Sequence, residues 1–156
     1  MTALLHAEMN RNVIKVFKQV HVELGIGFLE SVYSAAMTIA LRDSGFIVER
    51  EVPVTVVFRG HPVGTYRIDL LVEKQVCVEL KVCRAIIPSH EAQLLNYLRA
   101  SRIEVGLLLN FGIRPELRRF ILTNDHKLLR ATRIARGRRR RQFGAPDGTL
   151  VAQRSL

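Results

Sequence analysis

The stretch YRIDLLVEKQVCVELKVCR, Tyr66 to Arg84, runs through two valine- and leucine-rich segments that flank a polar Glu73–Lys74–Gln75 turn. Such residues around such a turn predict a β-hairpin or meander. Yet Asp69, Glu79 and Lys81 stand among the apolar side chains. Taking an ion out of water costs on the order of several kcal/mol, so a charge inside a sheet needs a partner or a metal. Alternation along the second strand puts Cys77, Glu79 and Lys81 on one face and Val76, Val78, Leu80 and Val82 on the other. Antiparallel pairing through the turn then brings Asp69 alongside them.

Two carboxylates from neighbouring strands suit a hard divalent cation, magnesium or manganese, which keeps several waters and accepts one or two protein carboxylates plus a substrate phosphate. Lys81 would orient or activate a water, or meet the charge that grows on phosphorus. The competing reading is an exposed salt bridge of Lys81 with Glu79 or Asp69, worth about 0–1 kcal/mol. On these three residues alone the salt bridge is favoured.

Upstream, Val13, Val16, Phe17, Val20 and Leu24 recur at helical spacing, predicting a helix from about His6 to the Gly25–Gly27 segment. A second helix is expected from Phe28 to Ser44, with Leu29, Val32, Ala36, Ile39 and Ala40 as its apolar stripe and Gly45 as its stop. FIVEREVPVTVVFRG then reads as a strand closing on Gly60, irregular or at an edge because of Pro53. Downstream, SHEAQLLNYLRAS predicts a helix to about Ser101, with Ser89 as N-cap and Ala92, Leu95 and Leu98 buried. EVGLLLNFG reads as a buried strand and RRFILTN as a last short one. The order predicts an α/β fold, a mixed sheet with helices on its faces.

The 156 residues, 48% of them hydrophobic, are enough for one well-buried core. Cys77 and Cys83 have no C-x-x-C spacing, which points away from a disulfide framework or zinc knuckle and toward a reducing cytoplasm. No secretory leader pattern or membrane-length apolar run is present, so the expectation is a soluble, unexported, cytoplasmic protein. Net charge is +10, but unevenly spread: residues 1–129 hold 16 basic and 13 acidic side chains, and 130–156 hold 8 and 1. The run RIARGRRRRQFG, Arg133 to Gly144, reads equally as a phosphate-binding segment and as a solvated extension. Aromatics at 6%, with no Trp, argue against an extensive base-stacking platform.

Asp69 and Glu79-x-Lys81, after a helical Glu30 and before QLLNY, resemble the PD-(D/E)XK nuclease superfamily in chain order. Gln93 and Tyr97 are similar to the Q-x-x-x-Y motif of its RecB-type exonuclease branch. Gly27 to Tyr33 spells G-x-x-E-x-x-Y. With YRIDLLVE, VELKV, HEAQLLNYLRAS and GLLLNFG it resembles the GxxExxY protein family, from about Val13 to Asn124. The resemblance implies a restriction-endonuclease-like core, a mixed β-sheet flanked by helices, within the domain 1–129; it does not cover 130–156, which the charge distribution alone marks as a basic, flexible tail. It implies Asp69 and Glu79 as metal ligands, the Leu80 carbonyl as another, Lys81 as the catalytic lysine and Glu30 as a further acidic member that is also a candidate ligand. Gln93 and Tyr97 complete the candidate set. Ile68 stands where the superfamily pattern has proline.

The activity implied is Mg²⁺- or Mn²⁺-dependent hydrolysis of phosphodiester bonds, in DNA rather than RNA, without a membrane partner. The alternative is a non-catalytic nucleic-acid-binding module on the same fold. An interaction subunit without nucleic acid leaves the acidic set unexplained. Locally, Glu30 at a helix start also complements the macrodipole, Tyr33 also fills a core, and Gln93, Tyr97 and His90 also suit a helix surface.

Overall fold

The structure, a computed structural model, describes residues 6–127. The expected basic tail, 130–156, lies outside them. Eight elements follow one another: α1 (Ala7–Leu24), α2 (Glu30–Asp43), β1 (Val48–Phe58), β2 (His61–Val72), β3 (Val76–Lys81), α3 (Pro88–Ala100), β4 (Val105–Asn110) and β5 (Glu116–Ile121). The strands form one five-stranded sheet in the order β1-β2-β3-β4-β5. β3 and β4 are parallel and every other pair is antiparallel. A parallel pair needs a long crossover, which α3 supplies. Among the described residues no helix is long and apolar enough to cross a membrane.

Strand alternation sorts the core into two layers. Val76, Val78 and Leu80 of β3, with Val105, Leu107 and Leu109 of β4, pack against Val13, Val16, Phe17 and Val20 of α1 and against α2. Cys77 and Leu108 point the other way, onto Leu94, Tyr97 and Leu98 of α3. α1 stops where the spacing predicts, at Gly25 with φ 71°, a left-handed backbone that glycine adopts without a Cβ penalty. Pro53 sits on β1, the sheet's edge strand, as expected of a residue without an amide donor.

Two helix faces differ from expectation. α2 buries Tyr33, Ser34, Met37, Thr38 and Leu41, while Leu29 and Ile39 of the expected stripe are 76% and 62% exposed. The helix carries two apolar stripes, and the one with the larger side chains faces the sheet. Its interleaved Ser34 and Thr38 hide this in the sequence, because their polarity is satisfied inside the fold: Thr38 Oγ1 donates within the helix to Ser34 O at 2.7 Å, and Arg50 Nη2 of β1 donates to Ser34 Oγ at 3.3 Å. In α3, Ile87 rather than Ser89 occupies the N-cap, with Pro88 following it. Proline's fixed φ and missing N–H favour that first position. The buried residues are Leu94, Tyr97 and Leu98, whereas Ala92 is exposed and Leu95 half-buried.

Two buried glycines set close approaches. A Cβ on Gly112 would lie 2.2 Å from the Cys83 carbonyl oxygen, whereas one on Gly106 would meet the Leu94 side-chain end at 2.9 Å. Backbone yields less than a leucine methyl. Gly112→Ala is expected to cost roughly 1–3 kcal/mol, and Gly106→Ala clearly less. Urea unfolding of both variants checks this, and the reverse ranking would contradict it.

Candidate active site

The β2–β3 hairpin turns at Glu73 and Lys74, which have φ of 51° and 55°, and its ladder runs from Val72↔Val76 to Leu70↔Val78. One step further, Asp69 takes over from the backbone: its Oδ2 accepts the Leu80 N–H at 2.7 Å. Alternation slips at the same residue. Leu70 packs on the α1–α2 side and Ile68 on the α3 side, although they are two apart. On β1, Glu51, between the paired Arg50↔Leu70 and Val52↔Ile68, has φ 51°. This irregularity sets Asp69 at the edge of the paired region, half-buried beside β3.

Glu79 is 1% exposed and Lys81 15%. Lys81 Nζ donates to Glu79 Oε1 at 2.6 Å. The pair therefore is not the exposed bridge that the local sequence favours, since parity turns it into the α3 side of the sheet. Glu79 Oε2 is buried and has no hydrogen-bond partner among the described residues. Burial, then the Asp69 carboxylate, push the Glu79 carboxyl up to about 7, against the pull of Lys81. Asp69 is raised too, by burial, with the Leu80 amide opposing. Burial would lower the Lys81 ammonium, but the hydrogen bond to Glu79 and the charges of Glu79, Glu30 and Asp69 outweigh it, and its net direction is upward. Lys81 is therefore held as a cation at neutral pH.

Glu30 opens α2 and faces this group electrostatically: burial raises its carboxyl, Lys81 lowers it and Asp69 raises it again. Tyr33, three residues on, points elsewhere. It is fully buried, stacks on Phe111 with ring centroids 4.4 Å apart and donates its hydroxyl to Gly25 O at 2.7 Å, tying the α1–α2 connection to the core. From α3, Gln93 Nε2 donates to the Tyr97 hydroxyl at 2.6 Å. Tyr97 is buried, and burial followed by the Glu79 charge raises its hydroxyl pKa. Cys77 shares the face and packs as a small apolar residue.

Asn110, which the sequence does not single out, shapes the end of β3, and His90, weighed there beside Gln93 and Tyr97, shapes the start of α3. Asn110, fully buried and paired with Lys81 in the β3–β4 register, accepts the Cys83 N–H at 3.0 Å and donates to Cys83 O at 2.9 Å. It thereby continues the ladder through its side chain. Its polarity at the end of the apolar LLL run is the signal that could have found it. His90 caps α3, its Nδ1 accepting the Ile87 N–H at 3.3 Å.

The donor set fits a small divalent cation in kind. An orphaned buried carboxylate oxygen needs a proton or a cation, and Asp69 lies beside it. Among the described residues no three or more His, Cys, Asp or Glu side chains close on an ion. The protein's share would be Asp69, Glu79 and the Leu80 carbonyl, which is on the same strand edge as the amide held by Asp69. That small share suits magnesium or manganese, which retain waters.

No curated protein sequence matches the chain. The crystal structure of SSO0001 is similar in fold, at 19% identity and a TM-score of 0.50, over 72% of this chain and 59% of that one. A sequence profile of the PD-(D/E)XK nuclease superfamily matches residues 7–120, from the start of α1 into β5 and across the whole acidic group. The chain belongs to the PD-(D/E)XK nuclease superfamily.

Proposed function

We propose that the chain is a metal-dependent nuclease that hydrolyses phosphodiester bonds, in DNA rather than RNA, with Asp69, Glu79 and the Leu80 carbonyl holding Mg²⁺ or Mn²⁺. The observation that carries this is Glu79: one carboxylate oxygen is bound to Lys81, and the other is buried beside Asp69 with no donor to it among the described residues. A surface salt bridge accounts for neither the burial nor the orphaned oxygen. A bound divalent cation would supply Lewis-acid polarisation of the phosphate and a more acidic water.

Lys81, held protonated, would stabilise charge on the non-bridging oxygens and is a poor candidate for a base. Glu30 presents a further acidic group to Lys81 and Asp69 from the α2 layer. The Gln93–Tyr97 pair, un-ionised at neutral pH, offers a fixed polar edge from α3. That bond supports placement in the RecB-type branch, and Gly27, Glu30 and Tyr33 support the GxxExxY family.

The second reading, a binding module that keeps the fold, draws on the absence of a three-residue ligand cluster among the described residues. Labelled single- and double-stranded DNA and RNA, incubated with Mg²⁺, Mn²⁺ or EDTA, separate the two. Cleavage of DNA that EDTA and Asp69→Ala both abolish is the expected result. Binding without cleavage under every condition would replace the nuclease with the module.

A further inference from the structure

Beyond Lys81 the chain leaves the sheet at Cys83 and returns as α3, and a cavity of about 850 Å³ opens there. Cys83, Arg84 and Ile87 line it from the β3–α3 connection, His90 from the first turn of α3, and Ile113 and Arg114 from the turn between β4 and β5. It lies past the carboxyl ends of the two parallel strands, where open α/β sheets bind ligands. Its walls are fixed. The Asn110 side chain clamps Cys83 through both backbone groups, and bare Gly112 lets the β4–β5 turn press against the Cys83 carbonyl.

An exposed arginine is ordinary on a protein surface. Here two line one cavity, and neither Arg84 nor Arg114 has an ion pair or hydrogen bond among the described residues. The nearby acids are engaged elsewhere. Arg118 pairs with Glu91 at 3.7 Å and with Glu116 at 3.6 Å, and Glu116 also accepts the Ile86 N–H at 3.4 Å. The N-terminus of α3 adds partial positive charge to the same side. Ile87 and Ile113, both exposed, give the cavity an apolar surface that offers nothing to a free anion but suits the carbon face of a sugar.

We propose that this cavity is a subsite for the sugar–phosphate backbone of a nucleic-acid strand. Arg84 and Arg114 bind phosphates that flank the reacting one at Lys81, and Ile87 and Ile113 pack on the sugars between them. The assignment rests on the nuclease reading of the adjoining acidic group, and it is tested apart from catalysis.

Fluorescence anisotropy of labelled DNA with the full-length protein in EDTA, across a salt series, is compared for wild type and Arg84→Ala/Arg114→Ala. The double variant is expected to bind roughly tenfold more weakly or worse, with its salt slope reduced by about 0.7–0.9 for each phosphate it no longer holds. Cys83 is a second probe, since Cys77 is buried. DNA is expected to slow thiol labelling of Cys83 severalfold, whereas inorganic phosphate at the same phosphate concentration leaves it unchanged.

Equal slopes and an unprotected Cys83 in protein that binds and cleaves DNA would overturn the subsite and leave the nuclease standing. Protection and a reduced slope without cleavage in Mg²⁺ or Mn²⁺ would support the subsite and remove the catalytic reading. Protection by inorganic phosphate alone would overturn the polymer assignment, and no binding at all would overturn both.

Discussion

Lys81→Ala is expected to slow single-turnover cleavage by roughly 10²-fold or more, the scale of removing one preorganised electrostatic interaction. Attack on a phosphodiester concentrates negative charge on the non-bridging oxygens. A cation fixed in place stabilises that charge more than the ground state, so rate falls further than affinity. Lys81 is held by the 2.6 Å bond to Glu79 and stays charged. Lys81→Arg keeps the charge but cannot put a compact ammonium at that point, and remains impaired.

Because Glu79 is buried, the substitution also has a structural cost. Removing one member of a buried pair strands the other charge, and Glu79 escapes by taking up a proton. Melting curves are therefore needed with each rate. The stability cost of Lys81→Ala should be larger on the alkaline side of neutrality than on the acidic side. Full cleavage by Lys81→Ala, or a fall in rate matched by an equal fall in DNA affinity, would defeat the catalytic assignment.

The hairpin is legible because period-two alternation survives from Val76 to Lys81, and the same parity puts Glu79 and Lys81 on one face. Parity does not tell which face is covered. That depends on α3, a crossover whose packing side is a property of the assembled sheet, so an ion pair that reads locally as exposed becomes buried. The α2 stripe misleads for a related reason: Leu29, Val32 and Ile39 are as apolar as Tyr33, Met37 and Leu41, and only the sheet chooses between them. Polar residues that settle their hydrogen bonds within the helix, as Thr38 does, cannot be told from solvent-facing ones by type. Arg84 and Arg114 are invisible as a pair in the sequence. Among the described residues the nearby Glu91 and Glu116 are instead held by Arg118 on β5.

Glu79→Gln is expected to stabilise the metal-free protein on the alkaline side of neutrality and to flatten its stability–pH curve. In the unfolded chain Glu79 releases its proton near 4.5, and in the folded chain at about 7. Between those values the folded state retains a proton that the unfolded state has released, so stability falls as pH rises through the window and levels off above it. Asp69 and Glu30, also raised, act in the same direction, while Lys81 titrates far above the window. The Glu79 shift alone amounts to on the order of 3 kcal/mol. Glutamine cannot ionise, and its carbonyl still accepts from Lys81. Urea unfolding in EDTA from about pH 5 to about pH 8 should show wild type and variant converging at the acid end and the variant ahead by a few kcal/mol at the other. Millimolar Mn²⁺ should recover the difference in wild type only, because a cation takes the place of the proton on the orphaned oxygen. Parallel curves across the whole range would mean that Glu79 is ionised without strain in the apo fold, and the case for a cation at this carboxylate would lose its main physical support.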